Sequence, residues 1–183
     1  MENQADYCVG DRLNFGLSGV APFSVFYTFE GAERKAVVQG TTFRRLAEKP
    51  GTFVVTGVQD SASSCRSNVS IEKRIHGLPS VRVSKGRESI VDIHEGSEAD
   101  ILFEFGGTPP FEFTYTRSSN AQKGGKSGAV LDMKNEVSDG YSLSVKASEE
   151  GTYEVVAIKD AYCAYAKPGV KLGAKGGQKK LTY

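Results

Sequence analysis

Apolar and polar residues alternate along most of this chain. Leu13, Phe15 and Leu17 occupy every second position, and so do Phe23, Val25, Tyr27 and Phe29. The spacing recurs at Ala99, Ile101, Phe103 and Phe105, and at Phe111, Phe113 and Tyr115. It returns at Tyr141, Leu143 and Val145, and at Tyr153, Val155 and Ala157. A period of two turns one face of each segment toward a core and the other toward water, the mark of half-buried strands. No segment carries a helical period with caps. Short strands punctuated by Gly and Pro predict a sandwich rather than a parallel sheet.

The strands come in two sets. Gly19-Val-Ala-Pro22-Phe23-Ser-Val25-Phe-Tyr27 aligns with Gly107-Thr-Pro-Pro110-Phe111-Glu-Phe113-Thr-Tyr115 at a shift of 88. Gly51-Thr52-Phe53 onward to Asp60 aligns with Gly151-Thr152-Tyr153 onward to Asp160 at a shift of 100, and a cysteine follows each, Cys65 and Cys163. The shift grows by 12, so the second copy holds about 12 extra residues, expected as a loop over the Gly-rich stretch Ser118 to Gly128. Two landmarks in the same order, each present twice, define two homologous domains. Glu149-Glu150-Gly151-Thr152-Tyr153-Glu154-Val155 resembles the tyrosine corner at the start of an immunoglobulin strand F, with Val155 where antibody domains place cysteine. Phe53 replaces that tyrosine in the first copy, and the chain has no tryptophan.

The predicted fold is therefore all-β: two tandem immunoglobulin-like β-sandwich domains. The first spans residues 1–76, with or without a first strand of its own. The second spans 77–183, with the longer central loop and a Gly/Lys-rich tail. The boundary lies near Ile75 to Leu78, and so short a linker, containing Gly77 and Pro79, implies restricted motion between domains.

Composition narrows the function. Lys and Arg number 23 against 22 Asp and Glu, so the net charge of +1 lacks the footprint of a nucleic-acid binder. No apolar run approaches the roughly 20 residues that cross a bilayer, and no signal-peptide pattern follows Met1. Membrane contact is expected only through a segment outside this stretch. Three cysteines with no close pair do not make a structural zinc site, and no metal or cofactor is expected.

Catalytic motifs are missing too. Gly124-Gly125-Lys126-Ser127 lacks the first glycine of a phosphate-binding loop, because Asn120 stands there. His76 reads as a linker residue and His94 as a strand-end residue, neither beside a nucleophile. The carboxylate pairs Glu149-Glu150 and Glu98-Asp100 are expected at loop or strand-start positions, without the Asp-x-Asp clusters that calcium repeats carry near linkers. Ser, His and Asp form no triad motif. The strict alternation of Phe23, Tyr27, Phe111 and Tyr115 marks them as core rather than a binding platform. No enzyme is expected.

The repeated elements Cys8-Val-Gly10-Asp11, Gly19-x-x-Pro22-Phe23-x-Val25-x-Tyr27, and Asp60 followed by Cys65 resemble the lumenal repeats of the fungal pore-membrane nucleoporins. So do Gly107-x-Pro-Pro110-Phe111-x-Phe113-x-Tyr115, Gly151-x-Tyr153, and Asp160 followed by Cys163; Gly96 stands where the second copy would have its first cysteine. The resemblance implies a non-enzymatic scaffold, a segment of an extended string of such domains in the perinuclear space. It implies as partners the neighbouring repeats, other copies of the chain and other membrane-ring nucleoporins. An adhesive surface module shares much of the motif and is the alternative.

In an oxidising lumen Cys8 and Cys65 are a candidate disulfide, leaving Cys163 as the free thiol. Against the pairing, the start of strand B and the end of strand F lie at opposite ends of an ordinary sandwich. Asn68-Val-Ser70 is a candidate glycosylation acceptor.

Overall fold

The computed structural model describes residues 4–63, 65–84, 90–94, 96, 99–119 and 128–170. Among them lie fifteen strands and no helix, as the alternation predicts. The chain divides into two compact units, Met1–Leu78 and Pro79–Tyr183.

Unit 1 holds β1 (Asp6–Cys8), β2 (Arg12–Gly16), β3 (Phe23–Phe29), β4 (Ala32–Val38), β5 (Thr42–Leu46), β6 (Gly51–Gln59) and β7 (Ser67–His76). One sheet runs β1-β7-β6-β3-β4, and β2 pairs β5 in the other. The unit has its own first strand, because β1 lies parallel to β7 with Tyr7 opposite Ile75. His76 closes β7 rather than lying in a linker. Leu13, Phe15 and Phe43 from one sheet meet Val25, Tyr27, Phe53 and Val55 from the other. The Tyr27 and Phe53 rings stack 5.0 Å apart. Between β3 and β4 only Glu30 and Gly31 intervene, at φ 50° and 79°. Positive φ at both positions suits the tight hairpin whose twist matches the strands. Glu30 holds that backbone by accepting the Thr52 N–H on its carboxylate and donating its own N–H to the Thr52 carbonyl.

Unit 2 repeats the plan with β8 (Ser80–Val83), β9 (Ile90–Ile93), β10 (Ala99–Gly106), β11 (Phe111–Ser118), β12 (Val130–Ser138), β13 (Ser142–Ala147), β14 (Gly151–Lys159) and β15 (Ala164–Ala166). One sheet runs β13-β10-β8; the other runs β12-β11-β14-β15, with β9 also on β14. Phe103, Phe105, Phe111, Phe113 and Tyr115 pack its core with Tyr153 and Val155. The two-residue hairpin of unit 1 becomes residues 119–129 here. Of this expected loop, residues 120–127 lie outside the described residues, as do Gly124 to Ser127 and the tail from residue 171.

Two positions depart from the alternation. Tyr141 stands just ahead of β13 and is 61% exposed, its ring edge-on to Phe111, so the inward face of that segment is Leu143 and Val145, continued by Ala147. In β14 the register shifts between Thr114 and Tyr115 of its partner β11. Past this bulge Ile158, not Ala157, stands beside Phe113 in the core. Unit 1 bulges at the equivalent place, between Phe26 and Tyr27. One extra residue reverses which face each later side chain occupies.

Candidate functional site

In each unit an aspartate at the end of a core strand fastens two loops. Asp160 is buried, and its carboxylate accepts N–H groups from Thr108 (3.0 Å), Tyr162 (2.9 Å) and Cys163 (2.7 Å). Asp60 accepts from Val20 (3.2 Å) and Ser63 (2.9 Å). The two landmarks that repeat in the sequence thus meet in space, the Gly-Pro loop before β3 or β11 against the turn after β6 or β14. Gly107 explains its own residue type: φ is +133°, and a Cβ would stand 2.5 Å from the Asp160 carboxylate. Gly19 meets Asp60 in the same way.

The tyrosine corner forms in unit 2. Tyr153 donates its hydroxyl proton to the Glu149 carbonyl at 2.9 Å. Arg117 ties this corner to the sheet, with its guanidinium 3.0 Å from Asp132 and 2.6 Å from Glu149, and it donates to the Glu150 carbonyl. The hydrogen bond to Asp132 raises the Arg117 pKa further. The Glu149-Glu150 pair is thereby engaged in holding a turn. Among the described residues no group of three or more His, Cys, Asp or Glu is placed to hold a metal ion.

Burial pushes the hydroxyls of Tyr115 and Tyr153 up from the ordinary value of 10.0, with Glu136 adding to the effect at Tyr115. A pKa raised on folding means that the folded state keeps its proton longer than the unfolded chain. The stabilisation is complete below pH 10 and is lost as pH climbs through the folded values. Thermal melts should therefore show unit 2 losing stability above pH 10, with tyrosinate absorbance rising as it unfolds. Tyr115→Phe with Tyr153→Phe should flatten that alkaline decline.

The cysteines overturn the expected pairing. Cys8 stands opposite His76, the last residue of β7, whereas Cys65 precedes Ser67, its first. Ten residues of strand at roughly 3.3 Å each put them on the order of 30 Å apart. A disulfide needs Cα atoms within about 7 Å. Cys65 is the free, exposed thiol, and Cys163, the residue expected to be free, is not a free thiol. The objection that the two positions lie at opposite ends of a sandwich holds, and the pairing of β1 along β7 supplies the distance.

The remaining candidates are scattered. Asn68 is exposed on β7, opposite Gly57. The ring of His76 sits 2.7 Å from Asp6, where it braces β1, and His94 is exposed beyond β9. An open groove of about 310 Å³ in unit 1 is lined by Tyr27, Phe29, Arg45, Leu46, Phe53 and Ile75, with Arg45 stacked 5.8 Å over Tyr27. Sequence reasoning passed over β4 and β12, the outermost strands of their sheets. Val37 on β4, and Val130, Leu131, Met133 and Val137 on β12, are exposed apolar side chains there.

These features define tandem immunoglobulin-like sandwiches whose polar groups brace loops and strand edges. Residues 1–74 match the family described as Nucleoporin pom152-like, ninth immunoglobulin-like domain. Residues 78–165 match Nucleoporin POM152, Ig-like domain. The chain belongs to the immunoglobulin-like domains of the Pom152-type nucleoporins. It is 41% identical over 162 residues to nucleoporin pom152 of Schizosaccharomyces pombe, covering 87% of this chain. It is 39% identical over 176 residues to nucleoporin POM152 of Saccharomyces cerevisiae, covering 89%. The chain spans 13% of the length of each of these relatives.

Proposed function

We propose that this chain is a non-enzymatic structural module of the nuclear pore membrane ring. It forms a segment of an extended string of immunoglobulin-like domains on the lumenal, perinuclear side, and it scaffolds the pore. The observation that carries this reading is the match of both units, in tandem, to nucleoporin immunoglobulin-like domains. The buried aspartate knot and the arginine-braced corner support it, since both spend polar groups on rigidity. The partners proposed are neighbouring repeats, other copies of the chain and other membrane-ring nucleoporins. The outer edges of β4 and β12 offer backbone groups for such contacts. Asn68, exposed on its strand, is a proposed glycan acceptor in that compartment.

Topology is the test. An epitope inserted between Ser119 and Gly128 of the full-length polypeptide should survive protease on sealed nuclear-envelope vesicles. It should be digested once detergent opens them. Digestion without detergent would place the module outside the lumen and overturn the reading.

A further inference from the structure

The two units differ where their long core strands begin. In unit 2 Arg117 stands opposite Tyr153 on β14 and Asp132 on β12, and its guanidinium is held between Asp132 and Glu149. In unit 1 the same register puts Phe29 opposite Phe53 and Ala32. Lys49 precedes Gly51 by two residues, as Glu149 precedes Gly151. Phe29 and Arg117 occupy the same place: a Cβ on Gly51 would meet Phe29 at 2.9 Å, and one on Gly151 would meet Arg117 at 2.9 Å. In the facing sheet Arg45, opposite Leu13, takes the position that Val145, opposite Ile101, holds in unit 2. Val145 packs against its core, whereas Arg45 lies 5.8 Å over the Tyr27 ring.

These exchanges leave a groove of about 310 Å³ in unit 1, with Tyr27, Phe29 and Phe53 among its walls. Arg34, Arg45 and Lys49 also line it, against the single carboxylate of Glu48. All four charged residues are exposed, and among the described residues none of them makes an ion pair. Arg34 stands opposite Tyr27, so both side chains project to one face. A charge turned inward on an outer strand blunts that edge. Such a task accounts for Arg34 on β4 and leaves Arg45 and Lys49 unexplained.

We propose that this groove docks an acidic peptide segment of a protein partner, an Asp or Glu beside an apolar side chain. The carboxylate accepts hydrogen bonds from Arg45, which its stacking on Tyr27 already orients, and from Arg34 or Lys49. The apolar neighbour covers the Phe29 ring. The occupant thus brings the negative charge that Asp132 and Glu149 bring in unit 2. A concave cleft of side-chain size does not admit the flat face of a bilayer, and Glu48 opposes a surface of uniform negative charge.

The proposal rests on the structural reading only in taking the occupant to be a protein. Its test uses the whole 183-residue chain, which has no tryptophan, so a tryptophan in the probe reports alone. The probe is the capped peptide Gly-Asp-Glu-Trp-Asp-Glu-Gly. Expected is a blue shift of its emission that saturates by about 1 mM and weakens with added salt. The same peptide with Asn and Gln in place of Asp and Glu should give none. Lys49→Glu, exposed between β5 and β6, should leave the fold intact and weaken binding about fivefold. Arg45→Glu with Lys49→Glu should weaken it at least about tenfold. Absence of saturation, equal binding of the amide peptide, or unchanged binding to Lys49→Glu overturns the proposal. So does capture of the chain by phosphatidylserine vesicles without binding of the peptide. None of these outcomes bears on the lumenal reading, which the protease test decides separately.

Discussion

Phe113→Ala should destabilise unit 2 by about 3–5 kcal/mol, a large part of a small domain's stability. The side chain is 1% exposed and meets the rings of Phe103 and Phe105 at 4.9 and 5.0 Å. Removing it leaves a cavity walled by two rings on a facing sheet that cannot collapse without shifting both strands. Thr114, one residue on, points to the other face and reaches Asn135 with its hydroxyl. Thr114→Ala should cost about 1 kcal/mol or less. Denaturant unfolding of the whole chain, with amide exchange to separate the units, compares the two. Equal, mild losses would contradict the register of β11.

Asp160→Ala should cost about 4 kcal/mol, because the buried carboxylate accepts three N–H groups, and bonds to a charged acceptor are worth roughly 1.5 kcal/mol each. The homologous Asp60→Ala should cost about 1 kcal/mol, since Asp60 serves two donors in an exposed loop where water can replace it. Asp160→Asn keeps an acceptor and should fall between them. The same amide-exchange readout applies, with the loops around Thr108 and Cys163 opening first. If Asp60 and Asp160 proved equally dispensable, burial would not be what makes the knot.

Phe111, Phe113 and Tyr115 were legible from sequence because a strand with one buried face must alternate. β4 and β12 were not. Glu33, Arg34 and Lys35 on one, and Met133 and Val137 on the other, sit on outermost strands where neither face is consistently dry. Without a buried face there is no period to read. The sequence also shows Asp60 and Asp160 as repeated letters, yet their task emerges only when the Gly-Pro loop folds over them. Ala157 and Ile158 illustrate a third kind of miss. A bulge changes parity without any marker residue, so the alternation holds up to Val155 and then misleads. For the cysteines the strand order already spoke against pairing Cys8 with Cys65, and the run of β7 between them turned that objection into a length.

The parallel pairing of β1 with β7 bears on how unit 1 responds to tension. These are its first and last strands, joined by backbone bonds from Arg74 to Ala5 and from Val9 to His76, with the Asp6–His76 contact beside them. A pull on the two ends drives parallel neighbours past one another, so all of these bonds bear the load at once rather than opening in turn. In unit 2, β8 and β9 pair antiparallel with interior strands, and no parallel pair occurs among the described residues. Stretching the chain should therefore find unit 2 yielding first, with unit 1 serving as the stiffer link.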